Sequence, residues 1–357
     1  MTTNEASKRY FTQQLMHWHG NENTRSLPWK EEKDPYKIWL SEVILQQTRA
    51  AQGLPYYLRF TERYPTVKDL AEANEEEAFR IWQGLGYYNR CKNMLATARI
   101  IAHELDGQFP DTYEGLLALK GIGPYTAAAI GSFAFGLPEA VVDGNVYRVL
   151  ARYLGIDTPF DTTEGKKQFS QMAKEVLDAD NSAAYNQAIM DLGATVCTPQ
   201  NPKCPDCPLQ KHCVAYKQGL TQLLPVRSKK TSISHRYFHY ILFTTGNMLW
   251  LHKRTAKDIW QSLHEPYLVE GTQAMTGKEL VRHPQFESLN IENAALEYEG
   301  KLSQRLTHRI IESYFFTCEL PTEIAIENGG IWVDYNDLKN LAFPKTVVSF
   351  LEKKLYF

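Results

Sequence analysis

The sequence lacks any apolar run that could cross a membrane, which takes about 18 to 20 consecutive apolar residues. Its N-terminal segment, MTTNEASKRYFTQQLMHWHG, also lacks the apolar core of a signal peptide. We therefore expect a cytoplasmic protein with no membrane association. Repeats and low-complexity tracts are absent as well, and hydrophobic residues make up 43% of the 357 residues. This composition predicts a globular protein of two or three domains.

The chain has almost no excess of charge of either sign, because its formal net charge is -2. A balance of this kind provides no bulk attraction to nucleic acid. A nucleic-acid-binding function would therefore have to depend on local sites.

Cysteines are few, but four of the six fall within 17 residues, at Cys197, Cys204, Cys207 and Cys213. In a reducing compartment such a group indicates a metal or cluster site rather than disulfides. Four thiolates on one loop can hold a tetrahedral zinc ion or a [4Fe–4S] cluster, and general chemistry alone favours zinc, because structural zinc sites built from four cysteines are common.

Apolar residues recur at helical spacing over much of the chain up to about residue 215, namely in 37–48, 69–82, 91–104, 112–119, 124–135 and 145–154. The character then changes. Residues 219–233 are polar and basic, which is typical of a linker. Aromatic and β-branched residues around Thr245-Gly246-Asn247 predict two strands joined by a turn, and 314–320 predicts another strand. The C-terminal part is therefore expected to be a separate α+β domain.

A glycine-containing turn lies between two of the predicted helices. Gly121 and Gly123 allow a tight turn and close approach to a ligand, and Pro124 suits the first turn of the next helix. The free N–H groups at that helix start can bind an anion. A hairpin of this kind grips a phosphate without reading base sequence.

Two carboxylates stand out as candidates for acid–base chemistry. Glu42 lies between Ile38 and Leu45 on one apolar stripe of a predicted helix. Partial desolvation there would raise the pKa of Glu42 and favour a proton donor near neutral pH. Asp143 directly precedes another predicted helix, a position that is by itself typical of a helix cap.

Several segments together resemble the MutY-type adenine DNA glycosylases of the endonuclease III superfamily: LPWK (27–30), DPYKIWLSEVILQQT (34–48), LKGIGPYTA (119–127), Val142-Asp143-Gly144-Asn145 and the cysteine spacing. The resemblance implies a mainly α helix-hairpin-helix glycosylase fold, with a six-helix barrel and an iron–sulfur cluster domain, followed by a C-terminal α+β Nudix-like domain. It implies a cluster domain at 1–29 and 136–218, a barrel with the hairpin at 30–135, a linker at 219–233 and a lesion-recognition domain at 234–357.

The resemblance also assigns roles to catalytic residues. Glu42 would protonate the departing base, and Asp143, with Asn145 beside it, would stabilise the oxocarbenium-like sugar. Tyr125 occupies the position where bifunctional relatives carry a nucleophilic lysine, so the chain is expected to leave the strand intact. The four cysteines would hold a [4Fe–4S] cluster.

Further residues match positions that contact DNA. The duplex-contacting and inserting set is Gln47, Thr48, Leu85, Tyr87, Gly121 and Gly123. The adenine pocket set is Arg25, Leu27, Trp29 and Gln187. Recognition of 8-oxoguanine falls to Thr307 and His308 in Leu306-Thr307-His308, where the family has Phe-Ser-His. A glutamate-rich pyrophosphatase box is missing, so nucleotide hydrolysis is not expected.

The main hypothesis is a monomeric, monofunctional adenine glycosylase of base excision repair that acts on A·8-oxoguanine and A·G mispairs in double-stranded DNA. One alternative is a bifunctional glycosylase and lyase for oxidised pyrimidines, against which Tyr125 and Glu42 argue. The other is a non-catalytic DNA damage-binding protein, against which the intact Glu42, Asp143 and Tyr125 argue.

Overall fold

The computed structural model describes residues 5–228, 232–291, 294–326 and 329–355. The chain forms two compact units, one of Met1–Ala71 with Ala96–Lys230 and the other of Glu72–Leu95 with Thr231–Phe357. The first unit is helical, and the second combines helices with a sheet. The predicted change from helical to α+β character is therefore confirmed.

The part of the chain before residue 228 is built from helices of four to 17 residues. Among the described residues, no helix has the length and apolar composition of a membrane span. In chain order the helices are α1 (Glu5–Asn21), α2 (Pro35–Leu45), α3 (Ala50–Arg63), α4 (Val67–Ala71), α5 (Glu75–Trp82), α6 (Asn89–Glu104), α7 (Tyr113–Ala118), α8 (Pro124–Phe135), α9 (Gly144–Leu154), α10 (Thr163–Val176), α11 (Ser182–Thr195) and α12 (Val214–Lys217).

Capping residues determine where the two carboxylate-bearing segments begin. Asp34 accepts a hydrogen bond from the Tyr36 amide, and Pro35 occupies the first position of α2. Asp143 likewise caps α9 by accepting from the amides of Asn145 and Val146. Glu42 therefore lies inside a helix, whereas Asp143 lies at the start of one.

The prediction of a continuous helix over 69–82 is wrong. The segment contains α4 and α5, because the Asn74 side chain accepts hydrogen bonds from the amides of Glu76 and Glu77 and starts a new helix. The helix predicted over 37–48 also ends earlier, at Leu45, since Gln47 takes a left-handed backbone conformation with φ 58°.

The core of the first unit forms where α9 and α11 pack together and α1 and α10 cover them. Its fully buried side chains include Phe11, Leu150, Phe169, Ala188 and Leu192. In the same unit α2 packs against α3 and α8. This packing brings the helix with Glu42 beside the helix with Tyr125.

The second unit contains a seven-stranded sheet in which β1 and β6 run parallel and the other pairs are antiparallel. The hairpin predicted around Gly246 and the strand predicted over 314–320 are confirmed as β1–β2 and β6. The strands are β1 (Ser234–Thr245), β2 (Met248–Lys253), β3 (His264–Glu265), β4 (Tyr267–Gly271), β5 (Glu297–Arg305), β6 (Arg309–Glu319) and β7 (Ile331–Asp334), with helices α13 (Gly277–Val281), α14 (Pro284–Glu287) and α15 (Lys345–Leu355).

Helices α9 and α11 approach each other closely at Gly193. A Cβ atom added there would lie 2.6 Å from the Cβ of Asn145 and 3.1 Å from its Cα. Real Cβ atoms do not tolerate the shorter of these distances, so only glycine fits without moving α9. The glycine thus controls the position of Asn145 and of Asp143 beside it.

We predict that Gly193→Ala destabilises the protein by about 1–3 kcal/mol, the usual cost of overpacking a core. It should also slow any reaction that depends on Asp143, because α9 must shift. Thermal unfolding and single-turnover kinetics measure the two effects. Gly20→Ala in α1 is the matched control, since its Cβ meets nothing within 4 Å. An equal change in both variants would contradict the explanation.

Candidate active site

A cavity of about 170 Å³ in the first unit collects residues that are far apart in the sequence. Its wall combines apolar side chains such as Ile38, Leu45 and Phe133 with a few polar groups. The members that the sequence had singled out are Arg25, Leu27, Trp29, Glu42, Thr48, Tyr125, Asp143, Asn145 and Gln187. The predicted catalytic set and the predicted adenine pocket thus share one cavity.

The carboxyl group of Glu42 lies in this cavity with only 7% of the residue exposed. Its Oε2 accepts a hydrogen bond of 2.6 Å from the Tyr125 hydroxyl. Burial raises the pKa of Glu42 to about 7; the bond from Tyr125 opposes this rise, and the nearby Asp143 charge adds to it. A substantial fraction of the carboxyl groups therefore carries a proton at neutral pH.

Asp143 is held by three hydrogen bonds at the start of α9. Its Oδ1 accepts from the amides of Asn145 and Val146, each at 2.8 Å, and its Oδ2 accepts from the Asn145 side chain at 2.7 Å. Burial raises the pKa of Asp143, and these bonds oppose the rise because they favour the carboxylate. The two carboxyl groups of the cavity therefore have different surroundings.

The Tyr125 side chain connects the hairpin to the cavity. Besides its bond to Glu42, its hydroxyl lies 3.7 Å from the sulfur of Met190. Burial and the neighbouring Glu42 raise the pKa of Tyr125 well above its usual range. The side chain is therefore a neutral phenol that donates a hydrogen bond.

Sequence reasoning missed Asp191, which organises one wall of the cavity. The residue is fully buried, and its carboxylate pairs with Arg25 at 2.7 Å and Lys30 at 3.0 Å. It also accepts from the Gln187 side chain at 3.0 Å. Burial favours the neutral acid, but hydrogen bonds from Asn23, Lys30 and Arg25 hold its pKa below the usual range. The spacing of four residues from Gln187 on one helix was a signal that could have identified it.

Arg148 is a second missed residue. It is buried on α9 and donates to the Asn145 side chain at 2.8 Å, to the Gly193 carbonyl at 2.7 Å and to the Cys197 carbonyl at 2.6 Å. Three donors of one planar guanidinium thereby connect the cap of α9, helix α11 and the start of the cysteine loop.

The glycine turn joins α7 to α8 as expected. Gly121 has φ 79°, a conformation that favours glycine, and Gly123 directly precedes α8 with open space where a Cβ would stand. A ligand can therefore approach the backbone of the first turn of α8 without meeting a side chain at Gly123. The N–H groups of a helix start are a suitable site for a phosphate oxygen.

The four cysteines of the predicted cluster line a separate cavity in the first unit, together with Arg152. Its guanidinium donates to the Cys197 sulfur at 3.3 Å and to the Thr198 carbonyl at 2.8 Å. Among the described residues, no three Cys, His, Asp or Glu side chains are grouped in a way that could hold a single metal ion. A four-iron cluster gives each thiolate its own iron, so its ligands surround a cavity instead. The donor set and its cationic neighbour fit such a group.

The predicted duplex-inserting residues differ in exposure. Gln47 is exposed, whereas Thr48 lines the cavity of the first unit. In the second unit, Tyr87 is 48% exposed with a left-handed φ of 50°, and Leu85 is 7% exposed. Tyr87, unlike Leu85, is therefore free to contact a ligand.

Within the second unit, the Tyr87 hydroxyl is hydrogen-bonded to the Thr307 hydroxyl. Thr307 and His308 are both exposed in the turn that joins β5 to β6. The structure thus brings one predicted inserting residue together with the predicted lesion-recognition turn.

Comparison with known proteins identifies the class of this fold. The model described as HhH-GPD superfamily base excision DNA repair protein matches residues 40–177, and a NUDIX domain model matches residues 239–353. A solved thermostable thymine-DNA glycosylase is similar to 60% of this chain and 98% of its own, with TM-score 0.55 and 28% identity. An endonuclease III in a non-covalent DNA complex has the same fold, with TM-score 0.52 and 22% identity over 61% of this chain and 99% of its own.

The class is therefore helix-hairpin-helix base excision repair proteins with an added Nudix-like domain, and the predicted fold class is confirmed. The adenine DNA glycosylase of Buchnera aphidicola subsp. Schizaphis graminum (strain Sg) is 31% identical over 96% of this chain and 98% of its own length. The chain belongs to the adenine DNA glycosylase family, as the motifs indicated. It is thus a DNA N-glycosylase, which is a hydrolase.

We predict that the Glu42 carboxyl titrates near pH 7 and loses its proton as the pH rises through that value. Tyr125→Phe should move the titration to higher pH, because it removes a hydrogen bond that favours the charged form. Infrared difference spectroscopy over pH 5 to 9 would resolve the band, with Glu42→Gln as the blank. Titration near the ordinary value for glutamate, about 4.3, would contradict the prediction.

Proposed function

We propose that the chain removes adenine from A·8-oxoguanine and A·G mispairs in double-stranded DNA and leaves the strand intact. Adenine removal in base excision repair is the activity of its family. One observation supports the detailed proposal most directly. The buried Glu42 carboxyl accepts a hydrogen bond from Tyr125 in the cavity that Asp143 also lines.

In this proposal Glu42 is the general acid. Adenine is a poor leaving group as an anion, so it departs more easily when a proton reaches a ring nitrogen as the glycosidic bond breaks. The electron pair of that bond stays with the base, and the proton comes from Glu42. A pKa of about 7 suits the task, because the group is both protonated often enough and acidic enough. Water then adds to the sugar carbon, and the proton it releases restores the acid.

Asp143 is the group that stabilises the positive charge on the sugar as the base leaves. Its carboxylate form is favoured by the three hydrogen bonds from Asn145 and Val146. An acid in an apolar setting and a carboxylate in a hydrogen-bonded setting can thus coexist in one cavity. Asn145 is a positioning residue in this scheme, since its side chain donates a hydrogen bond to Asp143.

Tyr125 supports base removal without strand cleavage. Strand-cutting relatives attack the sugar with an amine and form an imine. A neutral phenol that donates its hydrogen to Glu42 cannot do this. The alternative of a lyase for oxidised pyrimidines therefore lacks its nucleophile at this position. The alternative of a non-catalytic damage-binding protein does not explain why Glu42, Tyr125 and Asp143 are brought together in one cavity.

The remaining cavity residues suit the recognition of one planar base. The volume of about 170 Å³ is below the range of about 300–1,000 Å³ typical of drug-sized ligands. Trp29 and Leu27 supply flat apolar contacts, while Gln187 and Arg25, both held by Asp191, supply edge hydrogen bonds. Flipping a base costs a few kcal/mol, roughly. Gln47, Thr48 and Tyr87 are proposed to offset this cost in the duplex.

The turn between β5 and β6 is proposed to read the base opposite adenine. 8-Oxoguanine differs from guanine by an N7 hydrogen and a C8 oxygen. The Thr307 hydroxyl can accept from the first or donate to the second. Its bond to Tyr87 supports a common contact of both residues with that base, and His308 is exposed beside them.

We further propose that Cys197, Cys204, Cys207 and Cys213 hold a [4Fe–4S] cluster. Such a group, when bound, offsets part of the thiolate charge and stabilises the shape of the loop. Arg152 supports the Cys197 thiolate by donating to its sulfur. The same proposal has the protein acting in the cytoplasm as a monomer, gripping duplex phosphates at the turn of Gly121 and Gly123.

We predict that Glu42→Gln lowers the single-turnover rate of adenine release about 10²- to 10⁴-fold while binding to the mispair persists. The parent should yield strand breaks from A·8-oxoguanine and A·G duplexes only after alkali treatment. Glu62→Gln on the exposed side of α3 is the control and should keep the parent rate. Breaks without alkali would identify a lyase, and equal rates for parent and Glu42→Gln would refute the assigned acid.

A second prediction concerns the cysteine loop. The purified protein should be yellow-brown and contain about four irons per chain, because four cysteine thiolates can ligate one [4Fe–4S] cluster. Elemental analysis and visible absorption measure this. Cys318→Ser is the control, since Cys318 lies in the second unit and should leave the iron content unchanged. One zinc and no iron would overturn the cluster assignment.

A further inference from the structure

The turn that carries Thr307 and His308 is anchored by its backbone at its base. The amide of Leu306 donates to the Arg309 carbonyl at 2.7 Å, and the amide of Ser234 donates to the His308 carbonyl at 3.1 Å. These bonds close the turn and attach it to β1. Leu306 is only half-buried and supplies no aromatic packing.

A side-chain anchor is present as well, at Asp258. Its Oδ1 accepts from Nη1 of Arg309 at 3.3 Å. Its Oδ2 lies 2.7 Å from Nη1 of Arg236 and 3.3 Å from Nη2 of Arg254. One carboxylate thus joins β1, the segment after β2 and the first residue of β6.

The other two arginines have carboxylates of their own. Arg236 forms a two-point pair with Glu270 at 2.6 and 2.7 Å, and Arg254 pairs with buried Glu265 at 2.6 Å. Loss of the Asp258 charge would therefore leave Arg236 and Arg254 paired. Among the ion pairs of the described residues, Arg309 pairs with Asp258 alone.

The segment that carries Asp258, residues 254–263, is held in an uncommon conformation. Trp260 and Ser262 have φ 61° and 71°, which non-glycine residues seldom adopt. The conformation is maintained by two hydrogen bonds, from the Arg254 amide to the Leu263 carbonyl and from the Ser262 amide to the Arg254 carbonyl. The Trp260 ring also packs on Phe238. A bulky residue in such a conformation persists only where its surroundings determine it. Asp258 therefore lies on a firmly held segment.

We propose that Asp258 is a positioning residue for lesion recognition and that it acts through Arg309 to orient the turn bearing Thr307 and His308. The proposal rests on the proposed function of that turn in reading 8-oxoguanine. Its physical basis is that an exposed turn with two backbone anchors can still tilt about its base. A charge-assisted bond to a fixed carboxylate removes that freedom.

The test measures single-turnover rates on A·8-oxoguanine and A·G duplexes and takes their ratio as the lesion preference. Asp258→Asn, Arg309→Gln and the double variant form a double-mutant cycle. Each single change should lower the ratio about two- to fivefold, the range for a partly exposed ion pair. The double variant should lower it no further, because both changes break one contact.

Glu270→Gln is the matched control: it removes another carboxylate of the same network but does not contact Arg309, so its ratio should equal that of the parent. Arg309→Gln keeps the network on Arg236 and Arg254, so it remains informative if Asp258→Asn fails to fold. A general weakening of the domain would lower the ratio in Glu270→Gln too. In that case the losses of the two single variants would also add up in the double variant. Either result overturns the proposal.

Thr307→Ala combined with His308→Ala separates this proposal from the function on which it rests. A lowered ratio in that variant with a parental ratio in Asp258→Asn would refute the role of Asp258 and keep the turn as the lesion reader. A parental ratio in the Thr307 and His308 variant would refute the turn itself. A loss in Arg309→Gln without a loss in Asp258→Asn would mean that Arg309 contacts DNA directly, which also overturns the proposal.

Discussion

The chemistry proposed for the first unit depends on one carboxyl group being kept away from water. Glu42 is buried because α2 packs against α8, and burial raises its pKa to about 7. In water the same group would be a carboxylate at neutral pH and useless as an acid. The hydrogen bond from Tyr125 sets the direction of the carboxyl group without cancelling the effect of burial. Helix packing is therefore the physical origin of the raised pKa of Glu42.

Other buried ionisable groups of the first unit differ from Glu42, because their surroundings favour the charged form. Asp191 is fully buried and stays charged through Arg25, Lys30 and several hydrogen bonds. Arg148 donates to four acceptors, which lie on α9, on α11 and at the start of the cysteine loop. Such networks are stable only when every member is satisfied, so they hold the walls of the cavity in one arrangement. Shape and charge of the site are thus controlled by the same contacts.

A chain with a net charge of -2 belongs to a family that acts on a polyanion. In the proposed function the hairpin resolves this difficulty locally, because the N–H groups at a helix start can attract an anion without any net charge. In the second unit, the charges of Arg236, Arg254 and Arg309 are likewise balanced by three carboxylates, which belong to Asp258, Glu265 and Glu270. In both places, local contacts and not the net charge of the chain determine the electrostatics.

The sequence by itself determined the helical and α+β halves, the glycine turn, the cysteine loop and many of the residues that line the cavity, because local patterns and short motifs carry that information. It could not reveal the break at Asn74, since a side-chain cap there overrides the helical spacing of apolar residues. It also missed Asp191, Arg148 and Asp258, each of which has partners on other segments of the chain. Only the tertiary structure decides such contacts, because distance along the chain does not measure distance in space.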